Sequence, residues 1–352
     1  MDSRYFSLKI VEWYEQHHRK LPWRETKDPY LIWFSEVILQ QTRVSQGLPY
    51  YSKFVERYPT VNDLAVAKEQ EILRLWQGLG YYTRARNLYK CAKEVVREYD
   101  SRFPRSFSAL KNLPGIGDYT AAAIASISFL EPVAVVDGNV FRVLSRVFGV
   151  DKNISTPGGK KSFRDLANTL VANTQPDLYN QAIMEFGALQ CIPKKPKCND
   201  CIFQKNCVAN QQGLQSLLPV NIKSRKSRAR YFYYFVFANK KRIAMKKRNT
   251  KDIWHGLYDF QLIETRRSQS VLKVIQENSL IRRILKERKP VLVSKQYKHV
   301  VTHQNIHAKF ILIDDVQGSY TERGLKFYSK QQITRLPKPT LIQRFLIDHN
   351  IL

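Results

Sequence analysis

Apolar residues recur at helical intervals from the start of the chain to about residue 190. Tyr30 to Leu39 is almost wholly apolar, with Glu36 as its one acid. From Arg84 to Tyr99, Leu88, Cys91, Ala92, Val95 and Val96 fall near helical spacing. Asp118 to Ser128 is alanine-rich, and Phe163 to Val171 and Leu178 to Leu189 repeat the same pattern. Glycine and proline punctuate these stretches. The period changes after Cys207. Tyr231 to Phe237 is a run of aromatic and β-branched residues that predicts a strand, followed by a turn at Asn239-Lys240 and a second strand over 242–245. Further strands are expected at 291–293 and 308–313, and helices over 270–277 and 338–348. The pattern therefore predicts an all-α domain over 1–218 and an α+β domain over 231–352, with a basic, aperiodic linker over 219–230. No internal repeat is present.

Charge sharpens this picture. The 352 residues carry a formal net charge of +28, an excess that favours a polyanionic partner, nucleic acid above all. From Lys223 onward there are 29 Lys and Arg against 9 Asp and Glu, net +20; the first 222 residues hold 29 against 21, net +8. A basic final third reads as a clamp on phosphates. No apolar signal-peptide core and no apolar run of membrane-spanning length occurs, so a cytoplasmic location is expected.

Four of the five cysteines, Cys191, Cys198, Cys201 and Cys207, lie in C-x6-C-x2-C-x5-C, in a loop broken by Pro193 and Pro196. They are placed to wrap one metal centre. The spacing is not the paired C-x2-C of structural zinc, and four thiolates also suit a [4Fe–4S] cluster; spacing alone leaves both open. Cys91 lies on an apolar helical face and reads as core. Lys194, Lys195 and Lys197 sit in the first loop of the motif and would present positive charge to DNA. Leu113-Pro114-Gly115-Ile116-Gly117 opens onto the alanine-rich helix. Its two glycines let backbone N–H groups approach a phosphate oxygen, although any tight helix–helix turn could use them. Asp137 follows the apolar run 133–136 and precedes an amphipathic stretch; it reads as a helix N-cap, which does not exclude catalysis. Glu36, taken alone, could be one exposed polar residue.

The order of these pieces resembles a known family. Glu36 with Leu39-Gln40-Gln41-Thr42 comes first, then Gly78-Leu79-Gly80-Tyr81-Tyr82. Leu-Pro-Gly-Ile-Gly, Val136-Asp137-Gly138-Asn139 and the four cysteines follow. The chain resembles the helix–hairpin–helix DNA glycosylases with an iron–sulfur loop, and within them the MutY-type adenine glycosylases. The resemblance covers nearly the whole chain and is most specific over residues 20–207. It implies an all-α helix–hairpin–helix domain with a [4Fe–4S] loop on the four cysteines, followed by a Nudix-like α+β domain.

The same resemblance assigns roles. Glu36 becomes the general acid on the purine and Asp137 the carboxylate facing the sugar, with Asn139 and Tyr119 orienting Asp137 or the water. Arg24 and Gln181 match positions that contact the flipped adenine; Gln41 and Tyr81 match wedges that enter the duplex. Related endonuclease III-type enzymes carry a Schiff-base lysine where Tyr119 stands, so a monofunctional glycosylase is implied. Trp254 to Phe260 is similar to a Nudix core, but the acidic box of that family is absent. In the family this module reads 8-oxoguanine opposite the adenine through a Phe-Ser-His loop. The matching residues are Val301, Thr302 and His303, with Val301 departing from Phe. The implied partner is double-stranded DNA containing adenine opposite 8-oxoguanine or guanine, bound by a monomer associated with the nucleoid. Two other readings fit parts of the pattern: a glycosylase for thymine or uracil opposite guanine, and a non-catalytic DNA-binding protein on the same scaffold.

Overall fold

The computed structural model describes residues 1–172, 174–222, 227–249, 252–285, 289–301, 304–314, 316 and 324–352. The chain folds as two compact units, 1–66 with 87–223, and 67–86 with 224–352.

The first unit is helical. It contains α1 (Ser3–His17), α2 (Pro29–Leu39), α3 (Val44–Arg57) and α4 (Val61–Val66). After α5 (Glu69–Leu75), which belongs to the second unit, α6 (Thr83–Glu98) leads to α7 (Phe107–Leu110) and α8 (Asp118–Phe129). Then come α9 (Gly138–Phe148), α10 (Pro157–Val171), α11 (Pro176–Leu189) and α12 (Val208–Gln212). The starts are set by local chemistry. Asp28 caps α2, its carboxylate accepting from the Tyr30 N–H at 2.8 Å, and Pro29 fills the first turn where no donor is needed. Thr156 and Pro157 repeat the device at α10. Phe6, Trp13, Val143, Leu144, Phe163, Leu170, Tyr179 and Phe186 form one core joining α1, α9, α10 and α11. Helix α2 packs on α8 and is buried from Ile32 through Ile38.

The second unit is built on a mixed sheet. Its strands are β1 (Arg228–Asn239), β2 (Arg242–Lys247), β3 (Tyr258–Asp259), β4 (Gln261–Thr265), β5 (Leu292–Val293), β6 (Tyr297–Val301), β7 (Gln304–Ile313) and β8 (Lys326–Ser329). The helices α13 (Val271–Glu277), α14 (Ser279–Leu285), α15 (Lys330–Arg335) and α16 (Thr340–Asp348) complete it. Strand β7 runs parallel to β1 along its whole length, from Arg228 opposite Gln304 to Phe237 opposite Ile313. The aromatic run of β1 is buried on both faces. Tyr233, Phe235 and Phe237 join Ile281 and Ile284 of α14. Tyr234 stacks on Phe310, which in turn stacks on Phe345 of α16.

Several boundaries differ from the sequence expectation. The first strand begins at Arg228, inside the expected linker, because β7 supplies a partner for its backbone from Gln304 onward. The β1–β2 turn lies at Lys240 and Lys241, both at positive φ, and is closed by Asn239 opposite Arg242. The last helix starts at Thr340, two residues late, because Pro337 and Pro339 cannot continue a hydrogen-bond ladder backwards. Residues 67–86, expected in the helical domain, fold with the second unit. There Arg74 Nε donates to the Thr334 carbonyl at 2.9 Å, Gln77 Nε2 to Gln343 Oε1 at 2.7 Å, and Arg86 Nη1 to the His255 carbonyl at 2.7 Å.

One glycine decides how closely α9 and α11 approach. A Cβ on Gly187 would lie 2.6 Å from Asn139 Cβ and 3.0 Å from the Asn139 carbonyl oxygen. Gly187→Ala is therefore expected to push the start of α9 away, destabilising the protein by roughly 1–3 kcal/mol. Thermal melting checks this; an unchanged melting temperature would show that the contact yields freely.

Candidate active site

A cavity of about 810 Å³ opens in the first unit. Its wall is assembled from five helices, α3 contributing Val44 and Ser45. Glu36 comes from α2, Tyr119 from α8, Asp137 from the N-cap of α9, and Gln181, Met184 and Glu185 from α11. Arg24 and Trp23 enter from the 3-10 turn Pro22–Arg24. The sequence-predicted residues Glu36, Asp137, Asn139, Tyr119, Arg24 and Gln181 thus line one cavity.

Each carboxylate here has a different environment. Glu36 is buried, and desolvation lifts its pKa to about 7; the hydrogen bond with Tyr119 opposes the rise, the charge of Asp137 adds to it, and Arg24 opposes it. Asp137 caps α9. Its Oδ1 accepts from the N–H groups of Asn139 and Val140, both at 2.8 Å, and its Oδ2 accepts from Asn139 Nδ2 at 2.8 Å. Burial raises its pKa, while these donors act in the opposite direction. The cap expected from the sequence and a carboxylate on the cavity wall are the same group. Tyr119 is pushed well above the ordinary phenol range, by burial first and by the two acids beside it. Its hydroxyl also reaches Met184 Sδ at 3.4 Å.

Glu185 was not singled out from the sequence, although it lies four residues after Gln181 in α11 and so on the same face. It is 1% exposed and receives Arg19 and Arg24 together. Burial pushes its carboxyl up, but the hydrogen bonds from Arg19 and Arg24 bring the pKa down to about 2. Gln181 has a fixed amide: Oε1 accepts from Tyr14 Oη at 3.3 Å, and Nε2 donates to the Asp177 carbonyl at 3.1 Å. One further Nε2 proton and one further lone pair remain for a planar base.

Two buried arginines of α9, also missed in the sequence, tie this wall to the cysteine loop. Arg142 Nη2 donates to Asn139 Oδ1 at 2.8 Å and to the Gly187 carbonyl at 2.7 Å, while its Nε donates to the Cys191 carbonyl at 2.7 Å. Arg146 donates to the carbonyls of Ile192, Pro193 and Leu218. Cys191, Cys198, Cys201 and Cys207 line one small cavity beside Arg146. Among the described residues, no three Cys, His, Asp or Glu side chains converge on a single-ion site. Lys194, Lys195 and Lys197 are exposed on the same loop, Lys195 at positive φ.

The remaining predicted contacts lie outside the cavity. Gln41 is exposed at φ 56°, just after α2. Gly115 sits at φ 78°, its Cα against Asn87, where a Cβ would come within 2.6 Å of that side chain; Gly117 caps α8. In the second unit Tyr81 is 48% exposed at φ 48°, with the Arg84 guanidinium 5.4 Å from its ring centroid. Thr302 and His303 lie outside the described residues; their neighbours Val301 and Gln304 pair across β6 and β7.

Residues 34–169 match the HhH-GPD superfamily base excision DNA repair proteins, and residues 233–348 match the NUDIX domain. The adenine DNA glycosylase of Buchnera aphidicola subsp. Baizongia pistaciae (strain Bp) is 32% identical over 363 residues, 99% of this chain and 100% of that one. Among solved structures, a thermostable thymine-DNA glycosylase is 33% identical with a TM-score of 0.56, covering 60% of this chain and 97% of that chain. An endonuclease III–DNA covalent intermediate, 20% identical with a TM-score of 0.53, covers 61% of this chain and 99% of that chain and shares the fold. An all-α glycosylase unit carrying paired carboxylates, continued by a Nudix-like unit and matched end to end by such a relative, places the chain in the adenine DNA glycosylase family.

Proposed function

We infer that this chain is a monofunctional glycosylase that hydrolyses the bond between adenine and deoxyribose in mispaired duplex DNA. The observation that carries the reading is Glu36: a buried carboxyl with a pKa near 7, in the same cavity as an N-capping carboxylate. Breaking an N-glycosidic bond requires a proton on the leaving purine and stabilisation of positive charge on the sugar. Glu36 holds the proton. Asp137, fixed by three N–H donors, offers its negative charge to the sugar side. Water then completes the hydrolysis: adenine leaves with the proton of Glu36, the hydroxyl of water ends on the sugar, and its remaining proton restores Glu36. Arg24 and Gln181 supply donors and an acceptor to the flipped base. Tyr119 has no amine, so no Schiff base forms at that position and the abasic strand stays intact.

Adenine opposite 8-oxoguanine is the substrate we favour, with Thr302 and His303 reading the lesion and Tyr81 and Gln41 wedging the duplex. Gly115, Gly117 and the exposed Lys194, Lys195 and Lys197 hold phosphates. The thymine reading draws on a solved relative that covers only 60% of the chain. The adenine reading draws on one that spans the Nudix-like unit as well. No helix among the described residues is long and apolar enough to cross a membrane. We read the protein as a monomer working on DNA in the cytoplasm.

The four thiols fit a [4Fe–4S] cluster, because a cubane gives each thiolate its own iron and does not need four donors to meet at one ion. Bound there, it would brace the lysine-bearing loop that Arg142 and Arg146 already hold. The purified protein should be brown and contain about four irons per chain. Elemental analysis checks this; stoichiometric zinc in active protein would overturn it.

Single-turnover excision on duplexes with adenine opposite 8-oxoguanine, guanine, cytosine or thymine should be fastest for the first and next fastest for the second. Release of thymine from a thymine–guanine pair in place of adenine would sink the reading. Glu36→Gln and Asp137→Asn should each bind DNA while excision falls at least about a hundredfold; near-native rates from either would remove the assigned role.

The protonated form of Glu36 is the working form. Excision should therefore decline as pH rises through about 7. A rate that climbs steadily from pH 6 to pH 9 would contradict this assignment.

A further inference from the structure

We propose that Glu185 is a positioning residue for excision: it clamps Arg24 into the cavity wall and sets how much positive charge the two neighbouring arginines project onto Glu36. The proposal rests on the reading of Glu36 as the acid, and concerns a residue that neither the family motifs nor the sequence pattern assigned.

The geometry leaves Glu185 no catalytic task. Its Oε1 accepts from the Arg19 N–H at 3.0 Å, Arg19 Nε at 2.8 Å and Arg24 Nη1 at 2.8 Å. Its Oε2 accepts from Arg19 Nη2 at 2.6 Å and Arg24 Nη2 at 2.7 Å. A carboxylate with five donors is held ionised and has little capacity to take a proton or activate water. What it does is fix Arg24. Arg24 Nη1 also donates to the Arg19 carbonyl at 2.9 Å, so both of its protons are engaged. One face of the guanidinium lies over the Tyr14 ring, 5.5 Å from the centroid. The Nε proton and one Nη2 proton, on a single edge, remain for a substrate.

Charge follows from the same contacts. Two cations and one anion make the clamp net +1; without the Glu185 charge it would be +2. The groups that act on Glu36 are Tyr119 from α8, Asp137 from the cap of α9 and Arg24 from the turn after α1. Arg19, Arg43, Arg142 and Glu185 are the other charged groups on the cavity wall. Arg24 favours the ionised form of Glu36. Glu185 holds that influence down and so helps the acid keep its proton near neutral pH.

The test uses two substitutions of opposite sign in the full-length protein. Glu185→Gln leaves the clamp at +2 and should move the titration of Glu36 to lower pH, because an added positive charge beside a carboxyl favours its ionised form. Arg19→Gln leaves a neutral Glu185–Arg24 pair and should move it to higher pH. Arg19 is a partly exposed side chain, so this variant remains informative if Glu185→Gln fails to fold. The readout is the infrared carboxyl band of protonated Glu36, identified by its loss in Glu36→Gln and followed against pH without DNA. It reports on the clamp whether or not adenine proves to be the substrate.

Single-turnover rates should follow. The basic limb of the pH profile shifts to lower pH in Glu185→Gln and to higher pH in Arg19→Gln, and Glu185→Asp, which keeps the charge, leaves the limb in place. A purely structural salt bridge would lower the melting temperature of all three variants and leave the carboxyl titration where it was. That result, or shifts of the same sign in Glu185→Gln and Arg19→Gln, overturns the proposal.

Discussion

A charge removed from water must be paired or given up, and the catalytic unit is organised around that constraint. Three carboxyls line one cavity and meet it in three ways. Glu185 is paired with two arginines and stays ionised. Asp137 is held by the backbone N–H groups of a helix start and by Asn139. Glu36, in the apolar interior of α2, has a phenol beside it, and burial lifts its pKa to about 7. An acid and an anion can therefore stand in the same cavity at one pH, which is what cleavage of a glycosidic bond needs.

Helix α9 turns that electrostatic arrangement into rigid geometry. Its first residues carry the Asp137 cap, its middle carries Arg142, and one turn later Arg146 reaches the cysteine loop. Arg142 bonds both Asn139 and the Cys191 carbonyl, so the carboxylate and the loop are tied through one side chain. Gly187 lets α11 come close enough for its carbonyl to receive Arg142 as well. Both arginines satisfy carbonyls in a loop whose prolines and turns leave many backbone acceptors without ladder partners.

The second unit applies the same constraint to a different end. Arg230 engages Asp252 and Glu264, and Arg248 engages Asp252 and the fully buried Asp259. Burial lifts Asp259 to about 6, against the pull of Arg248. These acids already have guanidinium partners within the Nudix-like unit. The network also reaches Gln304, whose Oε1 accepts from Arg230 at 2.9 Å, next to the residues matched to lesion reading.

What the sequence made legible depended on whether the signal was local. The helix start at Asp137 could be read because a cap and the N–H it satisfies lie within three residues. The cysteine loop could be read from spacing, sharpened by the family resemblance, whereas Glu36 was singled out by that resemblance alone. Glu185 could not, because its partners Arg19 and Arg24 lie more than 160 residues away and nothing near it in the chain implies them. Residues 67–86 were misplaced for the same reason. Ile72, Leu73 and Trp76 make an ordinary short amphipathic stretch in sequence, and only the distant acceptors at His255, Thr334 and Gln343 assign it to the second unit. Tyr81, on this segment, consequently belongs to the same unit as strands β6 and β7. A helical pattern could give its secondary structure, but its place depended on hydrogen bonds that span most of the chain.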